Sequence, residues 1–492
     1  MKLVLLAGPS ASGKSTLARA LGGSIFSTSG YLKSLSSSDR PEVLYRIGKE
    51  LDENDPTWIV RSGKNIVDSV RSGAQLSQFH DIFNNRMRED IVTVNVTADD
   101  RELTRRHQSR GTQVPHFKPY LFENPDFTWR SDKVSVSVAV QAIGQLTGRG
   151  YVDVLVGGQY GSEGKGKLAA LLAPGYDVLI RSGGPNAGHW VRDDLYEFCF
   201  HHIPSGAIAN KKAQVVIASG ATVHPQEFLD EVERSGVAGR LWVDDRVVLI
   251  TESDRAEEAN LRKDIGSTAQ GVGRAASRRI LRDGVTCARD HVTFKPWLRD
   301  VSPFLSKQLH IGSRMMLEGT QGSGLSLYHG PYPFTTSRDT NVGGLLAETG
   351  IAPSWVRDTW MVIRTFPIRV GGNSGPMVGE LTWDEMATIT GRNADILRTQ
   401  ELTSTTKRLR RVGKFDWDQF ARACAVNQPT RLFLTFADYL DPKVADTNDW
   451  GSLTDTVRGF ISALEHASGV VVAGVSTGRQ QSHVAWRPGY AP

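Results

Sequence analysis

The stretch VDVLVGGQYGSEGKGKL, residues 152–168, decides the fold of most of this chain. Val152 to Val156 is a valine-rich stretch of the length of a strand, broken only by Asp153, and a helical pattern opens beyond the loop that follows. Between them lie glycines at 157, 158, 161, 164 and 166 and lysines at 165 and 167. A glycine-rich turn from a strand into a helix points successive backbone N–H groups at one spot, which suits a phosphate. The spacing is Gly161, four residues, then Gly166-Lys167, but Leu168 stands where the usual phosphate loop has a Ser or Thr for magnesium. Any metal here must be held by another group.

A second phosphate loop lies at the start of the chain. GPSASGKST, residues 8–16, follows an apolar strand, Lys2 to Ala7, and precedes a helix, Thr16 to Leu21. Gly8 and Gly13 give the turn, Lys14 reaches toward β- and γ-phosphates, and the Ser15 hydroxyl, followed by Thr16, suits Mg²⁺. Residues 1–147 resemble the small nucleoside-monophosphate kinases. Ser27 to Ser29 sits where such folds carry a nucleotide-contacting turn, and Val67 to Arg71 supplies an aspartate and an arginine. Arg101 to Arg110 resembles their arginine-bearing lid. Arg105, Arg106 and Arg110 read equally as a phosphate clamp or a solvated helix face.

Strand patterns at Ile91–Val96, Val178–Ile180, Val215–Ile217, Met315–Leu317, Leu432–Thr435 and Val470–Val475 alternate with helical ones such as Ser135–Leu146, Gln226–Arg234 and Leu453–His466. Alternation of this kind predicts an α/β protein of two P-loop-type parallel-sheet domains. The boundary falls in the glycine-rich joint 147–150, giving a kinase-like domain over 1–148 and a larger domain over 151–492. With 492 residues, 39% hydrophobic and 23% charged, the chain has the composition of a soluble globular protein. No apolar run approaches the ~20 residues that span a bilayer, and the short N-terminal run ends in a phosphate loop, so it reads as a strand. Three scattered cysteines, 199, 287 and 424, suit a reducing cytoplasm and form neither a disulfide framework nor a zinc site. A net charge of +5 fits small anionic ligands. No basic stripe interleaved with aromatics points to nucleic acid.

From residue 151 to its end the chain resembles the adenylosuccinate synthetase family, whose phosphate loop reads G-x-Q-W-G-D-E-G-K-G-K. Six more blocks follow in order: RSGGPNAGH (181–189), IGSTAQGVG (265–273), EGTQG (318–322), HGPYPFTTS (329–337), TTKRLRR (405–411) and STG (476–478). The resemblance implies a ligase that phosphorylates a purine 6-oxo group and lets the aspartate amine displace the phosphate. It implies His189 as the acid at the transferring phosphoryl group, and Mg²⁺ near Ser162 and the Gly188 carbonyl. Asn186, Thr268, Gln321, Thr336 and Arg408 would hold the purine nucleotide, with Arg282 reaching across a homodimer to its phosphate. Thr405 and Thr406 would receive aspartate. Glu163, Gly164, Lys165, Gly166, Lys167, Gly188, Arg410, Phe436, Asp438, Ser476, Thr477 and Gly478 would hold the triphosphate.

Two departures carry the finer reading. Ser162 replaces the family's catalytic aspartate, and a serine hydroxyl is not a free base near pH 7. The swap resembles the viral 2-aminoadenylosuccinate synthase (PurZ) branch, which takes dGMP in place of IMP; it also fits a dead ligase acting as a regulatory module on a kinase. Phe436 replaces the lysine that helps read the guanine of GTP, which favours ATP, while Asp438 leaves GTP open. The expected setting is cytoplasmic, a host's cytoplasm for a viral chain.

Overall fold

The computed structural model describes residues 3–8, 11–21, 25–26, 66–67, 70, 91–110, 121, 123, 125, 127–136, 138–139, 151–193, 196–259, 261–403 and 407–492. Two compact units emerge, Met1–Arg149 with His310–Gly312, and Gly150–Leu309 with Ser313–Pro492. The joint 147–150, the turn 27–29, Asp68, Ser69, Arg71, Thr405 and Thr406 lie outside the described residues.

The first unit holds β1 (Leu3–Ala7), β2 (Ile25–Phe26), β3 (Ile66–Val67), β4 (Ile91–Thr97) and β5 (Phe127–Arg130) in one sheet of order β2-β3-β1-β4-β5. Every pair is parallel. The helix after the loop begins at Lys14, two residues ahead of the sequence expectation. Gly8 has φ 146°, and a Cβ there would lie 2.0 Å from the Val96 carbonyl oxygen, so no larger residue fits. Helix Asp100–Ser109 carries Arg105 and Arg106, with Arg110 at its C-cap. Arg106 donates to Glu102, to the loop carbonyls of Ala11 (3.2 Å) and Ser12 (3.3 Å), and to Ser131. It braces the loop from behind rather than clamping a phosphate. Arg105 pairs with Glu102 at the surface.

In the second unit the strands are β6 (Tyr151–Gly157), β7 (Val178–Arg181), β8 (His189–Arg192), β9 (Glu197–Phe200), β10 (Gln214–Ile217), β11 (Thr222–Val223), β12 (Leu241–Asp244), β13 (Val248–Leu249), β14 (Leu298–Arg299), β15 (Arg314–Glu318), β16 (Val356–Arg364), β17 (Ile368–Arg369), β18 (Glu380–Leu381), β19 (Arg411–Gly413), β20 (Arg431–Thr435), β21 (Val472–Ser476) and β22 (Val484–Trp486). Ten of them form one sheet of order β14-β12-β10-β7-β15-β6-β16-β20-β21-β22, parallel except at β21–β22. Strand β6 is central. Val152, Val154 and Val156 face one apolar layer with helices Val301–His310, Trp417–Asn427 and Asp455–Ser468; Leu155 faces the other with helix Lys165–Leu172. A strand buried on both faces is why β6 is apolar at every position from 152 to 156 except Asp153, whose buried carboxylate is held by Tyr176 and Arg357. The carboxyl ends of β6, β7, β15, β16 and β20 open on the same side, where loops of parallel sheets place ligand sites. Among the described residues no helix is long and apolar enough to cross a membrane.

Candidate active site

The turn after β6 is built around Glu163. Its side chain is fully buried, and Oε1 accepts the N–H groups of Gln159 (3.1 Å) and Gly161 (2.8 Å). Lys165 Nζ donates to Oε2 (2.7 Å) and to the Gln321 carbonyl. A Cβ on Gly157 would sit 2.5 Å from that carboxylate, so glycine is required there. Glu163 thus shapes the loop from inside, its carboxylate committed to the turn itself. The backbone then turns left-handed at Gly161 (φ 87°), Ser162 (φ 56°) and Gly164 (φ 93°). For a serine this conformation costs about 1–2 kcal/mol, which the fixed carboxylate beneath must offset. Ser162 is exposed at the cleft, and its hydroxyl makes no hydrogen bond among the described residues.

Lys167 leaves the cradle on the opposite side. Its Nζ donates to Ser476 Oγ (2.8 Å) and to the carbonyls of Gly478 (2.9 Å) and His483 (3.0 Å). Burial pulls its ammonium down to about 7. A bound polyphosphate would restore the charge, so binding at pH 8 should take up a proton, and affinity should weaken as pH rises through 7 to 9. Calorimetry of ATP binding in buffers of different ionisation enthalpy measures that uptake. For stability the sign is opposite: the unfolded chain holds this proton up to the ordinary lysine range, so stability from this group rises with pH above 7.

His189 opens β8 beside a cleft of about 460 Å³. Its Nδ1 meets Glu318 Oε1 at the end of β15. Glu318 also accepts the Ser205 N–H (2.6 Å) and hydroxyl (2.5 Å), and lies 3.6 Å from Arg181. Burial works against its charge, but His189, Arg181 and Ser205 outweigh it and hold the carboxyl well below its usual range. Burial, with the positive Arg181, lowers the imidazole from its ordinary value. In the open cleft the pair is a carboxylate with a neutral imidazole whose Nδ1–H points inward, leaving Nε2 for the cleft. A phosphoryl dianion arriving there raises the imidazole's proton affinity and makes it a donor.

The cleft gathers many of the residues expected from sequence: Ser162, Asn186, Gly188, His189, Thr268, Gln321, Thr336 and Arg410 line it. Gln321 Nε2 donates to Asn186 Oδ1 (2.8 Å), and Asn186 Nδ2 to Thr336 Oγ1 (3.4 Å), tying three blocks distant in sequence into one wall. Glu258 holds the Gly271 and Gly273 N–H groups and so fixes the block containing Thr268. Ser476 and Gly478 gather at Lys167, whereas the Thr477 hydroxyl donates to the Thr447 carbonyl (2.6 Å). Arg408 is half-buried outside the cleft lining, its N–H on Thr403 Oγ1 (2.9 Å). Arg282 caps helix Val272–Leu281, exposed and away from the cleft of its own chain. Phe436 packs against Arg364, and Asp438 pairs with Arg392 (2.5 Å). At the first unit's loop, Lys14 donates to the Gly8 carbonyl (2.9 Å). Glu318 and Arg181 were given no role from sequence, although each opens a quoted block; the signal was a charged residue ending an apolar strand.

The profile of the adenylosuccinate synthetase family matches residues 154–292 and 287–443. The adenylosuccinate synthetase of Methanocaldococcus jannaschii is 37% identical over 335 residues, 66% of this chain and 93% of that one. The chain belongs to the adenylosuccinate synthetase family. A second relative, the adenylosuccinate synthetase of Archaeoglobus fulgidus, is 37% identical over 339 residues, 67% of this chain and 96% of its own length. Among solved structures, adenylosuccinate synthetase from Plasmodium falciparum superposes with a TM-score of 0.61 at 19% identity, over 69% of this chain and 100% of that one, a likeness of fold. Cyanophage S-2L succinoaminodeoxyadenylate synthetase (PurZ), solved with dGMP and with dATP as an energy donor, superposes with a TM-score of 0.59 at 28% identity, over 69% of this chain and 96% of that one. Membership in the adenylosuccinate synthetase family makes the chain a nucleotide-binding ligase of purine synthesis that forms C–N bonds. The family match covers the phosphate turn, the His189 strand and the walls of the cleft.

Proposed function

We propose that the second unit joins L-aspartate to C6 of dGMP with ATP as the energy donor, yielding N6-succino-2-amino-2′-deoxyadenylate, ADP and phosphate. The observation that carries this reading is Ser162, a short neutral side chain turned into the cleft where the family has an aspartate. Guanine places a 2-amino group beside N1–H, and serine leaves room for it while donating or accepting one hydrogen bond. The PurZ relative, solved with dGMP and with dATP as its energy donor, supports dGMP as the purine and an adenine nucleotide as the donor. In the reaction the purine O6 attacks the γ-phosphorus, ADP leaves and the N1 proton is released to water at the exposed Ser162 side of the cleft. The neutral aspartate amine then adds at C6, phosphate departs, and the surplus amine proton is released with it. His189, protonated as the dianion enters and backed by Glu318, hydrogen-bonds the transferring phosphoryl oxygens. Backbone N–H groups of the 161–167 turn and Lys167 hold the triphosphate. Asn186, Gln321, Thr336, Thr268 and Arg408 hold the purine nucleotide, and Thr405 and Thr406 the aspartate. Arg282 would serve a neighbouring subunit's nucleotide in a homodimer.

The Ser162 hydroxyl and the Gly188 carbonyl are hard oxygen donors of the kind Mg²⁺ accepts. Among the described residues no cluster of three His, Cys, Asp or Glu competes for a metal. The ion would therefore take most of its ligands from phosphate and water, and would neutralise charge on the phosphates. The first unit, with its strand–loop–helix and parallel sheet, would bind a second triphosphate and transfer phosphate to a nucleotide.

A crossed assay of dGMP, GMP and IMP against ATP and GTP, with product mass measured, tests the reading. Aspartate-dependent phosphate release should be greatest with dGMP and ATP, and ADP formed without aspartate reports the first unit. Equal or greater turnover with IMP would restore ordinary adenylosuccinate synthesis, the reading favoured by the 37% identity to the archaeal enzymes.

A further inference from the structure

A cluster of buried charges lies at the cleft, and of its members only Arg410 and Phe436 are among the residues read from sequence. Arg364 ends β16 and is 1% exposed. Its backbone is tied to the phosphate turn, since Gln159 Nε2 donates to its carbonyl (2.9 Å) and its N–H donates to Gln159 Oε1 (3.0 Å). The guanidinium lies 3.7 Å from the centre of the Phe436 ring and 5.6 Å from that of Tyr439. Both terminal nitrogens donate to Glu401, while Nε finds no partner among the described residues. Glu401 is equally buried and accepts the Tyr439 hydroxyl (3.0 Å) as well.

Arg410 is the second arginine on this carboxylate. It donates a single N–H, Nη1 to Oε2 at 3.2 Å, although its own backbone N–H is anchored on the Glu401 carbonyl (3.0 Å) and the two residues are held side by side. An arginine and a carboxylate left to themselves form a two-pronged fork. Here the fork belongs to Arg364. One negative charge between two guanidinium groups leaves a net positive charge, and Arg364 is steadied by the aromatic faces of Phe436 and Tyr439, whose quadrupoles attract it. The surplus therefore appears at Arg410, which lines the cleft with His189 and Thr403.

We propose that Arg364 is a positioning residue: by engaging Glu401 it leaves Arg410 with N–H groups for an oxyanion in the cleft. Without it, Glu401 takes Arg410 in a two-pronged pair and neutralises it. This rests on the ligase reading, in which the cleft holds a triphosphate, a purine monophosphate and the carboxylates of aspartate, any of which presents such an oxyanion.

The test uses the full chain with Arg364→Met, Arg364→Lys and Arg364→Met combined with Glu401→Gln. Thermal melting, kcat, the KM for each of the three substrates, and Kd for ATP and dGMP by calorimetry are measured. Arg364→Met should raise KM for one substrate about tenfold while kcat stays within about twofold, and the affected substrate identifies the oxyanion. Arg364→Lys, which keeps the charge and one donor to Glu401, should fall between. Adding Glu401→Gln should recover most of the loss, because the freed competitor for Arg410 is gone. The proposal is overturned if folded Arg364→Met changes none of these constants, or if the double variant is no better than the single. Should Arg364→Met fail to fold, Glu401→Gln in the Arg364→Lys background serves instead, and no improvement there overturns it too. Wild-type protein that binds neither ATP nor dGMP and releases no aspartate-dependent phosphate defeats the ligase reading itself. Active wild type with unresponsive variants defeats only the role of Arg364.

Discussion

Replacing His189 with Asn should lower kcat by about 10²–10⁴-fold, the range for loss of a positioned general acid, with KM for the purine nucleotide little changed. The imidazole touches the reacting group chiefly as phosphate transfers, so the loss falls on the transition state. Asparagine keeps an amide N–H that can reach Glu318 and fills most of the ring's space, so folding should be retained. Glu318→Gln should be milder, because the imidazole remains but loses the charge that steadies its protonated form. The pH profile separates the two. In the wild type the alkaline limb of kcat reflects loss of the imidazole's proton in the loaded cleft, where Glu318 and the incoming dianion oppose the lowering by burial. Glu318→Gln removes the attraction that opposes this lowering, so the protonated fraction should fall further and activity decline at lower pH than in the wild type. Steady-state phosphate release over pH 5 to 9 checks both; a His189→Asn variant with wild-type kcat would remove the imidazole from the chemistry.

Ser162→Asp should invert the choice of purine. The carboxylate brings the base that hypoxanthine's N1–H requires and the bulk and charge that crowd guanine's 2-amino edge. The ratio of kcat/KM for IMP to that for dGMP should rise about 100-fold, equivalent to ~2.7 kcal/mol. The backbone favours the exchange. Position 162 is left-handed, at φ 56°, and aspartate tolerates that region better than serine does. The variant should fold at least as well as the parent, so a loss of all activity could not be put down to strain. Competition between IMP and dGMP in one reaction, resolved by product mass, measures the ratio directly. An unchanged ratio would separate substrate choice from this side chain.

Some of these features are written plainly in the chain and others are not, for physical reasons. β6 is legible because both its faces are buried and Val152, Val154, Leu155 and Val156 betray it, with Asp153 the one charged residue among them. β16 escapes the same reading: Arg357 and Asp358 interrupt its start, and only in the folded sheet do they find Asp153 and Arg431 as partners. Helix Asp455–Ser468 begins two residues later than its apolar pattern, because Leu453 is still extended and Thr454 gives its hydroxyl to Asp441 (2.7 Å). His189 announces itself among glycines, whereas Glu318 becomes its partner only through the pairing of β15 between β6 and β7. The assembly of Arg364, Glu401, Arg410 and Tyr439 is the extreme case. Each is an ordinary charged or aromatic residue in its own segment, and their union depends on where four separate elements end. The arginines of helix Asp100–Ser109 show the converse hazard, a suggestive run whose half-buried member, Arg106, braces a loop.

The strand order has a consequence for how the protein comes into being. β6 and its phosphate turn leave the ribosome early, yet the strands on either side, β15 and β16, are synthesised long afterward. Until they arrive, β6 has two bare edges, and neither the Gln321 carbonyl that receives Lys165 nor the Arg364 backbone that secures Gln159 exists. A chain interrupted before residue 364 therefore carries the whole signature loop and no working pocket, and it exposes sticky strand margins to its neighbours. From the synthesis of β6 until that of β16 the growing chain keeps an unpaired β6 edge, and the loop becomes competent only when the closing strands lock it from both flanks.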